Sequence, residues 1–302
     1  MTPITLQEPF RAVFYAPFYA ALARGDYAAE GVAVTLRTGS VPANAKDAVL
    51  AGVADLAWGG PMRILLAHEA DAASPLRNFG AVVMRDPFFL VGRTPRPGFG
   101  LADLAPLTLG TVSEVPTPWW TLQEDVRQAG LDPTTIRRVT DRSMAENLAA
   151  VLDGSLDVAQ VFEPFVTLAE EAGATVWHSA AGRGVTGYTT FTTTTALLQS
   201  KRTEFKAMLR GLARTLAWVA ANTPEALAEC VAAYFPDLER ATLVRCFARY
   251  KAVGLWTADP FYPEEAFTRL ETAMFTAGAI TRKPGFAMTA DNGIVSEALA
   301  ER

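Results

Sequence analysis

Short runs of apolar and β-branched residues alternate along this chain with longer stretches of helix formers, and that alternation predicts the fold. In the first third, Ala12-Val13-Phe14-Tyr15, Val32-Ala33-Val34-Thr35-Leu36 and residues 54–58, 79–84 and 88–92 predict strands, because period-two or unbroken apolar runs of this length suit β-structure. Between them, residues 17–30, 42–51 and 61–70 predict helices opened at Pro17, Pro42 and Pro61; proline's fixed φ suits a first helical turn, where its missing N–H has no partner to lose. Beyond the Pro- and Gly-rich stretch 94–100 the pattern resumes. Strands are predicted at 107–111, 136–139, 156–162 and 174–177, with helices from Thr117-Pro118 to Ala129, over 143–152, and from Glu163-Pro164 to Ala172. Residues 187–195, Gly-Tyr-Thr-Thr-Phe-Thr-Thr-Thr-Thr, predict one extended crossing strand. From there the chain is helical, at 201–221, 224–235, 238–251 and 263–278. Strands separated by helices at this spacing imply mostly parallel sheets.

One phrase occurs twice. Residues 48–57 and 150–159 share Ala-Val-Leu-x-Gly-x-x-Asp-x-Ala, read as a helix end, a left-handed glycine and an Asp turn into a short strand. Each copy runs on to a proline, Gly60-Pro61 and Glu163-Pro164. Two similar α/β lobes with a cleft between them are expected: lobe I from 1–92 plus 193–302, lobe II from 93–192, and hinge segments near 88–93 and 188–195.

Composition agrees with two cores, since half of the 302 residues are apolar. A net charge of −5, from 27 Lys+Arg against 32 Asp+Glu, offers no basic stripe for nucleic acid or an anionic membrane. No apolar run is long enough to span a bilayer. Met1 to Glu8 has neither a basic n-region nor an apolar h-region, so the compartment stays open between a periplasmic form that has lost its leader and a cytoplasmic protein. Cys230 and Cys246 both fall in predicted helices, and nothing demands a disulfide.

In a parallel sheet the junctions leaving the C-terminal ends of strands share one edge, where ligands bind and helix N-termini present unpaired N–H groups. The prolines at 17, 42, 61, 118 and 164 mark five such junctions, and the residues around them are aromatic: Phe14, Tyr15, Phe18, Tyr19, Trp58, Trp119, Trp120 and Phe162. Either they wall a small-molecule cleft or they fill the lobe cores. Polar candidates are Ser40, Asn44, Ser113, Glu114, Thr117 and Glu163, with Arg85 and Asp86 near the first hinge. Gly59 and Tyr188 complete the candidate ligand shell. Glu163 has two readings, an acceptor for a ligand's N–H groups or an anionic cap on its own helix. Asp55 and Asp157, at the far ends of their strands, read as turn residues. Catalytic patterns are scarce: His68 and His178 lack Cys or carboxylate neighbours at metal-ligand spacing, and there is no Gly-x-Ser-x-Gly elbow or phosphate-cradling loop. No cofactor is expected.

The order of these parts resembles the type 2 periplasmic binding proteins of the NMT1/THI5-like and aliphatic-sulfonate/taurine group, the solute receptors of ABC importers. The segment Tyr15-Ala16-Pro17-Phe18-Tyr19-Ala20 through Gly31-Val32-Ala33-Val34 is similar to that family's opening, Leu50-Ala51-Gly52-Val53-Ala54-Asp55-Leu56-Ala57 to its first-lobe element, and Leu131 to Val139 with Phe162-Glu163-Pro164 to its second lobe. The resemblance implies an α/β, two-lobed type 2 periplasmic-binding-protein fold, each lobe a mostly parallel sheet flanked by helices, with a helical C-terminal region. It implies a monomer that closes on a small ligand and delivers it to an importer permease, without catalysis; the many aromatics and the available carboxylate of Glu163 favour a flat, pyrimidine-like heterocycle over a plain alkylsulfonate. The alternative is an enzyme or sensor on the same fold. Thiamine-pyrimidine synthases carry a cysteine-rich stretch where this chain has Gly187 to Thr192, and the related desulfinases carry a nucleophilic Cys after the first strand, placed here at Ala16; neither cysteine is present.

Overall fold

The computed structural model describes residues 1–39 and 44–301. Ser40 and the helix opening at Pro42 lie outside the described residues, as does the side chain of Asn44. The strands are β1 Thr2–Glu8, β2 Val32–Thr38, β3 Leu56–Gly59, β4 Leu76–Val83, β5 Phe89–Gly92, β6 Thr108–Gly110, β7 Arg137–Val139, β8 Val158–Val161, β9 Thr175–Ser179 and β10 Thr189–Thr194. The helices are α1 Ala16–Ala23, α2 Asn44–Leu50, α3 Met62–Ala70, α4 Thr117–Gln128, α5 Met144–Asp153, α6 Phe165–Glu171, α7 Thr195–Ser200, α8 Arg202–Ala221, α9 Pro224–Val231, α10 Arg240–Ala252, α11 Glu264–Thr276, α12 Phe286–Thr289 and α13 Gly293–Ala300.

Two five-stranded sheets result, in the orders β2-β1-β3-β10-β4 and β7-β6-β8-β5-β9. They share one plan. In each, the fourth position is held by an antiparallel strand that has just arrived from the other lobe, β10 in the first sheet and β5 in the second. The division expected at 92 and 193 therefore shifts. The chain changes sheet between Val83 and Phe89 and returns between Ser179 and Thr189, so Phe89–Gly92 belongs to the second sheet. An apolar run reads the same whichever sheet it joins; only its pairing partners, Val158 to Val161 and Thr175 to Ser179, decide.

The opening strand is also corrected. Val13–Tyr15 is a 3₁₀ turn leading directly into α1, and the true first strand is Thr2–Glu8. Its polar residues and Pro3 hide it in the sequence, although Ile4 and Leu6 are fully buried. Pro3 is tolerated because β1 pairs with β2 along its whole length but with β3 only at Leu6 and Gln7.

The repeated phrase builds the same corner twice. Gly52 and Gly154 both take left-handed φ, +69° and +83°, which an L side chain resists. Asp55 Oδ2 then accepts the Thr5 N–H at 2.7 Å, and Asp157 Oδ2 accepts the Thr108 N–H at 2.7 Å. Each aspartate thus ties its own strand to the neighbouring one, Asp55 at the middle of β1 and Asp157 at the start of β6, beyond a turn role. The C-terminal helices α8 to α11 follow expectation, while α7, α12 and α13 are additional short helices. Two of the long ones reach across to the second lobe, α10 packing on α6 and α11 on α4.

Candidate functional site

The C-terminal ends of the parallel strands meet at an inner cavity of about 40 Å³ between the lobes. From the first lobe come Phe10, Phe14, Tyr15, Gly60 and Arg63; from the second come Phe88, Val115, Thr117 and Phe162; Tyr188 enters from the returning crossover. Phe162 is the central ring. It meets Phe14 at 5.1 Å and Phe88 at 5.1 Å, both edge to face, and stacks on Phe10 at 6.4 Å. Such ring geometries are favourable beyond area burial alone.

Arg63 supplies the charge. It sits in the first turn of α3 and its guanidinium makes no hydrogen bond or ion pair among the described residues, although burial pushes its pKa below the usual guanidinium range against the pull of Tyr15 and Asp47. Nearby, burial raises the Tyr15 phenol, an effect that Arg63 opposes. A half-buried cation with no ion-pair partner among the described residues is costly, and an anion entering the cavity lowers that cost.

The crossovers are locked to each other behind this cavity. Asp86, fully buried, accepts from the Phe88 N–H at 2.9 Å, from Thr121 Oγ1 at 3.1 Å and from the Tyr188 hydroxyl at 2.6 Å. It also pairs with Arg183, whose guanidinium reaches Asp125 of α4 at 2.9 Å. Burial and the Asp86 charge hold the Tyr188 phenol well above its ordinary pKa, so it stays a donor.

Of the residues proposed from sequence, Phe14, Tyr15, Thr117, Phe162 and Tyr188 line the inner cavity together, with Gly59 one residue before Gly60. Phe18 and Trp58 do not line it; they stack in the first lobe's core at 4.5 Å, with an interplanar angle of 1°. Tyr19 is also core, its hydroxyl donating to the buried Glu8 at 2.5 Å. Trp119 lies under the Arg138 guanidinium at 3.9 Å in the second lobe, whereas Trp120 packs on the apolar cluster around Met62 and Leu65. Arg85 is spent on the Ala181 carbonyl at 3.0 Å. Ser113 is exposed, and Glu114 borders a second, outer cavity while accepting the Met144 N–H at 3.1 Å.

Glu163 is completely buried and fully committed. Its carboxylate accepts the Thr167 N–H at 2.9 Å, Thr167 Oγ1 at 3.0 Å and Arg249 Nε at 2.7 Å. It caps its own helix and borders the outer cavity but does not line the inner one. Sequence reasoning missed Arg63, two positions past Pro61, although the rule that singled out residues beside the junction prolines applies to it equally. Phe10 and Phe88 were missed as well: Phe10 follows a first strand the sequence did not reveal, and Phe88 was read as the opening residue of a strand.

Two matched sheets exchanging one strand each around an aromatic cleft define the type 2 periplasmic-binding-protein architecture. The NMT1/THI5 like family model matches residues 14–226, and the chain belongs to that family. It is 22% identical over 307 residues to the "Putative binding protein YtlA" of Bacillus subtilis (strain 168), covering all of this chain and 90% of that one. Among solved structures, the periplasmic aliphatic sulphonate binding protein SsuA from Escherichia coli superposes with a TM-score of 0.76 at 16% identity, over 98% of this chain and 99% of that one. The desulfurization enzyme DSZB superposes with a TM-score of 0.71 at 13% identity, over 100% and 99%.

Proposed function

We propose that this chain is a solute-binding protein that encloses a small organic anion between its lobes and presents it to the permease of an ABC importer. The observation that carries this reading is Arg63: a cation without a partner among the described residues, in a cavity otherwise walled by rings. Apolar walls with one charged group give a ligand site both grip and orientation. Membership of the family and the likeness to a sulphonate-binding protein support it. A neutral heterocycle fits less well, because the carboxylate proposed to receive its N–H groups, Glu163, is already saturated.

Binding without turnover is favoured over catalysis. With β1 ending at Glu8, the segment after the first strand is residues 9–16, and neither it nor Gly187 to Thr192 contains a cysteine. Neither histidine lines the inner cavity. Calorimetric titration with benzenesulfonate, benzoate and benzamide tests the reading. The two anions should bind and benzamide should not; equal binding of benzamide, or conversion of either anion seen by mass spectrometry, contradicts it.

A further inference from the structure

The lobes are closed on each other, with Phe14 and Phe162 in edge-to-face contact across the cleft. The backbone shows where they turn. On the first-lobe side, the Thr186 N–H on the Met84 carbonyl and the Tyr188 N–H on the Val83 carbonyl, both at 2.9 Å, hold the two crossovers together. On the second-lobe side the Ala180 N–H does so on the Phe88 carbonyl at 3.1 Å. Between those rungs, residues 85–87 and 181–185 share no backbone hydrogen bond with each other. Gly184 takes φ +96° and ψ −164° there, a region almost restricted to glycine. Such an unladdered stretch is where backbone dihedrals change at least cost, and it is the pivot.

Tyr188 spans this pivot. Its backbone is fixed to β4 of the first lobe, while its hydroxyl donates to Asp86 at 2.6 Å. The Asp86 carboxylate is fixed to the second lobe, accepting the Phe88 N–H at the entry to β5 and the Thr121 hydroxyl of α4. Arg183 holds it there by bridging it to Asp125 of the same helix. The acceptor is charged and fully buried, which makes the phenol's bond to it a strong one. Rotation that parts the lobes carries the Tyr188 backbone away from Asp86 and breaks that bond. The ring of the same residue lines the inner cavity.

Resting on the reading of that cavity as the ligand site, we infer that the Tyr188 hydroxyl is a latch, bonded to Asp86 only while the lobes are closed and secured by a ligand that packs on its ring. Tyr188 is thus a positioning residue for closure, acting through the pivot. Tyr188→Phe keeps the ring and deletes the bond. Thr121→Val deletes a donor to the same carboxylate, but Thr121 and Asp86 travel together with the second lobe, so it is the control. Tyr188→Phe should raise the Kd of benzenesulfonate about tenfold, nearly all of it as faster dissociation in stopped flow. Thr121→Val should stay within about twofold. In small-angle scattering without ligand, Tyr188→Phe should have a larger radius of gyration than the wild type or Thr121→Val. An unchanged Kd or radius in Tyr188→Phe, or equal effects of the two variants, overturns the inference. Failure of benzenesulfonate to bind the wild type would instead contradict the anion site, and the radii alone then decide the latch.

Discussion

Arg249 Nε lies 2.7 Å from Glu163 Oε1 and joins a helix of the C-terminal region to the strand-to-helix junction of the second lobe. The neighbouring residue repeats the link, the Tyr250 hydroxyl accepting the Glu163 N–H at 3.0 Å. Arg249 also reaches Glu170 at 2.5 Å, so α10 grips α6 at two points. The junction is thus a clasp between the lobes.

Glu163→Gln keeps the shape and removes the charge. Breaking a buried pair costs about 3–5 kcal/mol, but Arg249 is partly solvated and keeps Glu170, which screens and offsets part of that. Urea unfolding should show a loss of about 2 kcal/mol, while affinity for an aromatic anion stays within about twofold. Weakened binding with unchanged stability would restore Glu163 to the ligand shell.

The two corner aspartates should behave as equals. Each accepts one N–H from a neighbouring strand, and Asp55 has Lys201 at 2.7 Å as an additional partner. Asp55→Ala and Asp157→Ala should each cost about 1 kcal/mol. The double variant should lose their sum, since the residues sit in different sheets. A double-mutant cycle with strong coupling would contradict the independence of the corners.

Stability should also carry an imidazole signature. Burial pushes the His178 pKa below its ordinary value, outweighing the opposing pull of Asp125 and Asp86. The unfolded chain then binds a proton near its ordinary pKa that the folded chain refuses. The His178 contribution is therefore complete above about pH 6.5 and is lost as pH falls through the lower folded value. Glu30, also depressed, with its Arg214 and Arg210 bonds outweighing desolvation, acts only in more acid solution. Unfolding free energies at pH 7.5 and 5.5 should differ more in the wild type than in His178→Gln; identical slopes would exclude this residue.

The fold was legible in the sequence where one local signal decided the outcome. Gly52 and Gly154 announced their corners, and Pro118 and Pro164 stand at the starts of α4 and α6 as read. Thr2–Glu8 was not legible, because Thr, Gln, Glu and Pro3 dilute its alternation. Val13 to Tyr15 misled because its apolar run suits a strand equally well, while the Tyr15 N–H to Ala12 carbonyl bond at 3.1 Å closes a turn. The site was legible as an edge and illegible as a shell. Tyr15, Thr117 and Tyr188 converge on it, but no local pattern reveals that Arg249, 86 residues away, saturates Glu163. Nor does one reveal that Trp58 turns into the core against Phe18.

The central claim rests on Arg63, and the affinity of benzenesulfonate for the wild type and for Arg63→Gln tests it most directly. Removing a partly desolvated charge opposite an anion should cost about 2 kcal/mol or more, roughly a 30-fold rise in Kd, with unfolding stability unchanged or improved because a half-buried cation with no partner among the described residues is gone. An unchanged Kd in a folded Arg63→Gln protein would contradict the account.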